Sequence, residues 1–307
     1  ARLHILALCA AALMLISSHH PAAAAEVRIV VPTQYTTIQA ALDAAYQLQS
    51  QPSNTNSYSV LVEPGTYPGG ITLRNNIPIR GRETARTILS GGGSGAVLIA
   101  TGITGVSIRN FTIRNAIIGI QVTGNVSLTI ANNVFVMGLG GTGVQSQNAT
   151  SVRVVNNTFS QNGIGVLLDS VNTEVRNNIF FNNSANINGV GSFSDPTNIA
   201  YNGFYPGPKT GDITGTLFLP NIAFPGTDPL FVNTASQQGD FHLKSTSPCI
   251  DQGDPSILDS TFDGSRSDMG AYGGPDTDTI PTTVSGLASS ATSSDSVALS
   301  WTANEDY

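Results

Sequence analysis

VSIRNFTI at 106–113, LTIANNVF at 128–135, VRVVNNTF at 152–159 and TEVRNNIF at 173–180 are one phrase written four times. The central apolar residue falls at Ile108, Ile130, Val154 and Val175, intervals of 22, 24 and 21 residues by subtraction. A looser copy, NIAYNGF at 198–204, places Ile199 another 24 residues on. A period in the twenties with a strand-like core signals a solenoid, in which no single repeat buries its apolar side and stacking builds the core. The period is too short for more than two or three strands of about 3.3 Å per residue with tight corners between them. Each copy ends on an aromatic or aliphatic residue expected to point inward: Ile113, Phe135, Phe159 and Phe180. A second short strand follows, often after glycine, at Gly119, Gly143 and Gly165. Asn110, Asn132, Asn156 and Asn177 occupy equivalent corners. Asparagine tolerates a left-handed backbone. Its amide can also bond to the amide above and below, so these four are expected to form a structural ladder. A leucine-rich repeat has a similar period, but the apolar positions are Ile, Val and Phe, and no helical stretch fills the rest of each copy.

The flanks fit an all-β chain with one exception. After a strand at 27–31, Ile38, Ala41, Leu42, Ala45 and Leu48 fall at helical spacing behind Thr36 or Thr37 as N-cap. A short amphipathic helix there would cover the first coil, whose apolar end is otherwise wet. From Tyr58 to Gly93 the pattern alternates and breaks at Pro64-Gly65 and Gly69-Gly70, as less regular coils would. Beyond Asn202 the period is lost in a proline-rich stretch.

Of 307 residues 11% are charged, against a typical ~25%, while 40% are apolar, which excludes a disordered chain. The net charge of −7, with lysine only at Lys209 and Lys244, argues against nucleic acid as a partner. Residues 1–25 read as a secretory signal: Arg2 and His4, an apolar run from Ile5 to Ile16, then small residues with a cut expected after Ala25. That run is too short for a mature membrane span. Cys249 is then the lone cysteine, read as a buried small hydrophobe rather than a thiol served by His242. The domains expected are the signal at 1–25, a β-helix at 26–274, a linker at 275–281 and a module at 282–307. The last segment resembles the opening of a fibronectin type III module, with Val297, Leu299 and Trp301 on one strand face. Only 26 residues remain there, where such a sandwich needs about 100.

The PTQYTTIQAALDAA opening, the Asn-rich coils and the closing DPLFVN, FHLKSTSPCIDQGD and DMGAYG together resemble secreted bacterial right-handed parallel β-helix proteins of the pectin-lyase-like fold. The resemblance covers residues 27–274 and implies that the C-terminal stretch closes the end of the helix. It implies a secreted, monomeric protein directed at a polysaccharide or cell-surface glycan. The activity it implies is lyase or hydrolase action on a uronate-containing polymer. The alternative is a non-catalytic surface, adhesion or structural protein, because one fold hosts many functions.

The candidates for chemistry are few. Asp169 and Glu174 flank one turn and could face a common groove; against this, Asp169 caps the turn and Glu174 pairs with Arg153 one coil away. Asp195 and Lys209 lie where the period breaks, and Lys209 could act as a base if burial lowered its pKa. Gln121 and Gln145, stacked in successive coils, suit sugar hydroxyls, and Arg153 and Arg176 suit acidic groups. Asp251, Asp254, Asp263 and Asp268 could hold calcium, or could pair with Arg266 among them. No required cofactor is evident.

Overall fold

A computed structural model describes residues 25–169, 173–189, 198–209, 212, 221–223, 228–235, 239–258, 265–275, 285–293 and 296–302. At 222–223, 285–293 and 296–302 the description is of the backbone. Residues 1–24 of the expected export signal, residues 276–281 of the expected linker, Asp195 and Asp263 lie outside the described residues.

Each copy of the phrase forms one turn of a parallel β-helix. Val106–Arg109, Ser127–Ala131, Ser151–Val155 and Thr173–Arg176 lie side by side in a first, eight-stranded sheet. After the Asn corner, Thr112–Arg114, Val134–Val136, Thr158–Ser160 and Ile179–Phe181 belong to a second, eight-stranded sheet. Ile118–Thr123, Gly138–Gln147, Asn162–Leu168 and Ala185–Gly189 belong to a third, six-stranded one. Ile108, Ile130, Val154 and Val175 meet in strict register. A slip of one residue would turn all four outward, so the buried face sets the register.

The interior is a stack of like on like. Phe135, Phe159, Phe180 and Phe204 stack with ring centroids 4.7, 5.0 and 5.2 Å apart. Glycine faces them for a steric reason. A Cβ on Gly143 would lie 2.6 Å from the Gly165 carbonyl oxygen and 2.7 Å from the Phe159 ring. The helix Ile38–Gln49 covers the first coil, with Ile38, Ala41, Leu42 and Ala45 buried and Thr37 Oγ1 accepting from Ala40 N. Leu48, expected on the same face, is 43% exposed.

The corner between the first two sheets differs from expectation. Asn110, Asn132, Asn156 and Asn177 do adopt the left-handed backbone, with φ of 60, 56, 53 and 56°. The amide ladder, however, runs through the residue after each. Asn133 Nδ2 donates to Asn157 Oδ1 at 3.1 Å, Asn157 to Asn178 at 3.1 Å, Asn178 to Asn202 at 3.0 Å and Asn202 to Asn221 at 3.1 Å. The left-handed residue turns its own side chain away from the core, so the next one points inward and meets its copies. In the expected column only the Asn177 to Asn156 contact, at 3.3 Å, is of that kind among the described residues.

The C-terminal stretch also departs from expectation: its described residues double back along the flank. Phe231, Phe241, Leu243, Cys249, Met269 and Ala271 pack on Val134, Val136, Ile179 and Phe181, the outer face of the second sheet. The outward Asn column receives it: Asn132 Nδ2 donates to the carbonyls of Ala271 (3.1 Å) and Gly273 (2.7 Å), and Asn156 Nδ2 to that of Asp268 (2.8 Å). Asn177 Oδ1 accepts from Asp254 N at 2.7 Å. Ser285–Ser293 and Ser296–Thr302 form a two-stranded antiparallel hairpin.

Two substitutions test this account by urea denaturation. Asn157→Ala removes a buried group bonded on both sides and is expected to lower stability by about 3 kcal/mol. Gly143→Ala is expected to lower it by about 1–3 kcal/mol through overpacking against the Phe stack. A loss below about 0.5 kcal/mol for either would show that the corresponding stack does not hold the coils together.

Candidate functional site

The three outer faces have different fates. The second sheet carries the C-terminal strap, the described residues being 228–235, 239–258 and 265–275. The six strands of the third sheet contain no charged residue. The first sheet, from Ile79–Gly81 to Thr173–Arg176, carries four arginines, Arg80, Arg109, Arg153 and Arg176, and a single carboxylate, Glu174. In a chain of net charge −7 this is a basic island.

A groove of about 240 Å³ opens on that face. Its floor is hydroxyl-rich, with Ser107, Ser127, Thr129 and Ser151, and it runs from Pro78 and Gly105 to Arg153. Alternation along each strand places these hydroxyls outward, since Val106, Ile108, Leu128, Ile130, Val152 and Val154 point inward and are buried. Register lines them up across the coils, Ser127 beside Ser151 and Ser107 beside Thr129 beside Arg153. Arg80 and Arg109 are also register partners. Like charges directly opposite each other are unfavourable by themselves. With its amide turned to satisfy its neighbours, Asn110 accepts from Arg80 at 3.2 Å.

Beyond the groove a charge relay leads to the strap. Arg153 Nε donates to Glu174 Oε2 at 2.6 Å, Arg176 Nε lies 3.4 Å from Glu174 Oε1, and Arg176 Nη1 donates to Asp254 Oδ2. Burial would push the Asp254 carboxyl up, but hydrogen bonds from Ser256 and Arg176 together with the Arg176 charge outweigh it and hold the group below its usual range. The Arg153–Glu174 pair, the expected neighbour contact, is half exposed and adds under about 1 kcal/mol.

The other candidates are dispersed. Asp169 is exposed and Oδ1 accepts from Asn148 N at 2.7 Å, while Glu174 is committed to two arginines. Lys209 sits on a turn closed by Asp212, whose carboxylate accepts from Lys209 N at 2.6 Å and Asn186 Nδ2 at 2.9 Å. Gln121 and Gln145 are register partners, but on the third sheet, so they share no groove with Arg153 and Arg176 on the first.

Of the aspartates expected to hold calcium, Asp254 and Asp268 are engaged separately. Asp268 Oδ1 accepts from Asp251 N at 2.7 Å, and Asp254 binds Ser256 and Arg176. Among the described residues no three His, Cys, Asp or Glu side chains gather as a metal site. Arg266 donates to the carbonyls of Gly253 and Gln252, so Arg176 supplies the counter-charge that was expected from Arg266. Cys249 is fully buried and its thiol is pushed up to about 12, so it is an inert packing group. His242 Nδ1 lies 2.5 Å from Asp240 Oδ1 and its ring stacks on Tyr272 at 3.6 Å. Among the described residues no helix is long and apolar enough to cross a membrane.

Sequence reasoning missed the hydroxyl floor and the Arg80–Arg109 pair. Their signal was the outward position of each strand, in SIR, LTIA and VRVV, read two residues at a time across the aligned copies.

Asp254 gives the strap a predicted acid limit. A carboxyl held below its unfolded value stabilises the fold fully above that value, about pH 3.9, and loses its effect as pH falls through the lower folded pKa. The difference in urea stability between the wild type and Asp254→Asn is therefore expected to be full above about pH 4 and to close at lower pH. A difference independent of pH would show that Asp254 acts by shape alone.

Comparison with curated proteins returned no match, and neither did comparison with solved structures. Comparison with protein families matched residues 53–208, about half of the chain and most of its coils, to the family described as periplasmic copper-binding protein (NosD). By that match the chain belongs to the NosD family of extracytoplasmic proteins.

Proposed function

We propose that this protein is a non-catalytic binding β-helix that grips an acidic, uronate-containing glycan along the outer face of the first sheet. The observation that carries this reading is the hydroxyl-floored groove ending at Arg153, on the face that also bears Arg80, Arg109 and Arg176. Coils about 4.8 Å apart present one hydroxyl or guanidinium after another to a polymer lying along the axis. Guanidinium and carboxylate form the stronger class of hydrogen bond. The parallel stack holds these groups rigidly, which lowers the ordering cost of binding.

Two observations favour binding over chemistry. Glu174 is held between two arginines, Asp169 accepts from Asn148 N, and the Asp212 carboxylate beside Lys209 is spent on Lys209 N, Asn186 and Ile187 N. Copper, the ligand in the family's description, asks for converging imidazole or sulfur donors. The described donors do not fit it. Met137 lies in the coil core, Met269 and protonated Cys249 lie in the outer apolar layer, and His242 is committed to Asp240.

Titration calorimetry with polygalacturonate and alginate is expected to show binding that weakens with added salt. Arg153→Ala is expected to weaken it about tenfold, the loss of one charge-assisted contact. Absence of binding to any uronate polymer would overturn the reading. Release of unsaturated uronates, with or without added calcium, would replace it with a lyase.

A further inference from the structure

At the corner between the first and second sheets, successive coils place Asn110, Asn132, Asn156 and Asn177. The next coil places Tyr201 there, with φ of 57°. A bulky side chain in that region is strained, and asparagine is the residue that tolerates it. Strain of this kind persists where the surroundings hold it in place, and it concentrates at binding sites. The ring of Tyr201 is held by cations: Arg266 Cζ lies 5.4 Å from its centroid and Arg176 Cζ lies 6.0 Å. Arg176 belongs to the relay that runs from Arg153 through Glu174. Tyr201 is partly buried, and its ring packs against the apolar layer of the strap.

Resting on the glycan reading above, we infer that Tyr201 is a specificity-determining ligand contact at the far end of the arginine-lined face. It meets a sugar hydroxyl through its phenol, at the end of the face that bears Arg80, Arg109 and Arg153. The track then continues past Arg153, along the line of register that joins Val155, Arg176 and Ala200, to the residue after Ala200. It ends where the Asn column is broken. The competing role for Tyr201 is a clamp that fastens the strap through Arg266.

The full chain separates the two roles by binding to polygalacturonate and by thermal unfolding. Tyr201→Phe keeps the ring and both cation contacts and is expected to bind about three- to tenfold more weakly, with Tm unchanged. Tyr201→Asn restores the residue of the other coils and is expected to bind about tenfold more weakly, with Tm equal or higher. If Tyr201→Phe binds as tightly as the wild type while Arg153→Ala binds weakly, the inference falls and the glycan reading stands. A lower Tm in Tyr201→Asn with intact binding in Tyr201→Phe would assign the clamp role instead. If the wild type binds no uronate polymer, both fall together.

Discussion

The structure depends on how a buried corner satisfies its backbone. Where the chain leaves the first sheet for the second, the strand ladder stops and polar groups remain in the interior. Asn133, Asn157, Asn178 and Asn202 answer this on every side. Asn157 Oδ1 accepts from Asn133 N and Nδ2, while Asn157 Nδ2 donates to the carbonyls of Ile130 and Val155 and to Asn178 Oδ1. A buried network of this kind is stabilising when every member is paired and costly when one is lost. It also fixes each coil directly over the last, so that the Phe stack, the Gly column and the outer rows fall into line.

The left-handed residue before each ladder asparagine has the opposite duty. Its side chain turns outward, and Asn132, Asn156 and Asn177 use their amides to hold the strap. One corner thus assembles the core on its inner side and recruits the C-terminal stretch on its outer side. The strap covers an apolar sheet face that would otherwise lie in water, where the aromatic rings of Phe181, Phe231 and Phe241 meet edge to face. With that face covered and the strands of the third sheet uncharged, Arg80, Arg109, Arg153 and Arg176 lie on the first sheet, the face on which the proposed binding rests.

The fold was legible because a repeat repeats its errors of interpretation as well as its signal. Ile108, Ile130, Val154 and Val175 are each weak evidence of an inward strand residue, but together they specify spacing, face and register. The left-handed corners were legible for the same reason, since asparagine recurs where the backbone requires it. Which of the two adjacent asparagines points inward was not legible, because both recur with the same period. The direction is decided by how a left-handed residue redirects the chain after it.

The candidate site was less legible. Arg153 and Glu174 were found because they occupy equivalent places in successive coils. Asp254 was sought as a metal ligand and proved to be the partner of Arg176, 78 residues away in the chain. The sequence by itself determined the solenoid, its period, its capping helix and the inward residues, since these follow from local alternation and stacking. Only the tertiary structure decided which outer face is covered and which groups converge, because the strap returns across coils with which it shares no period.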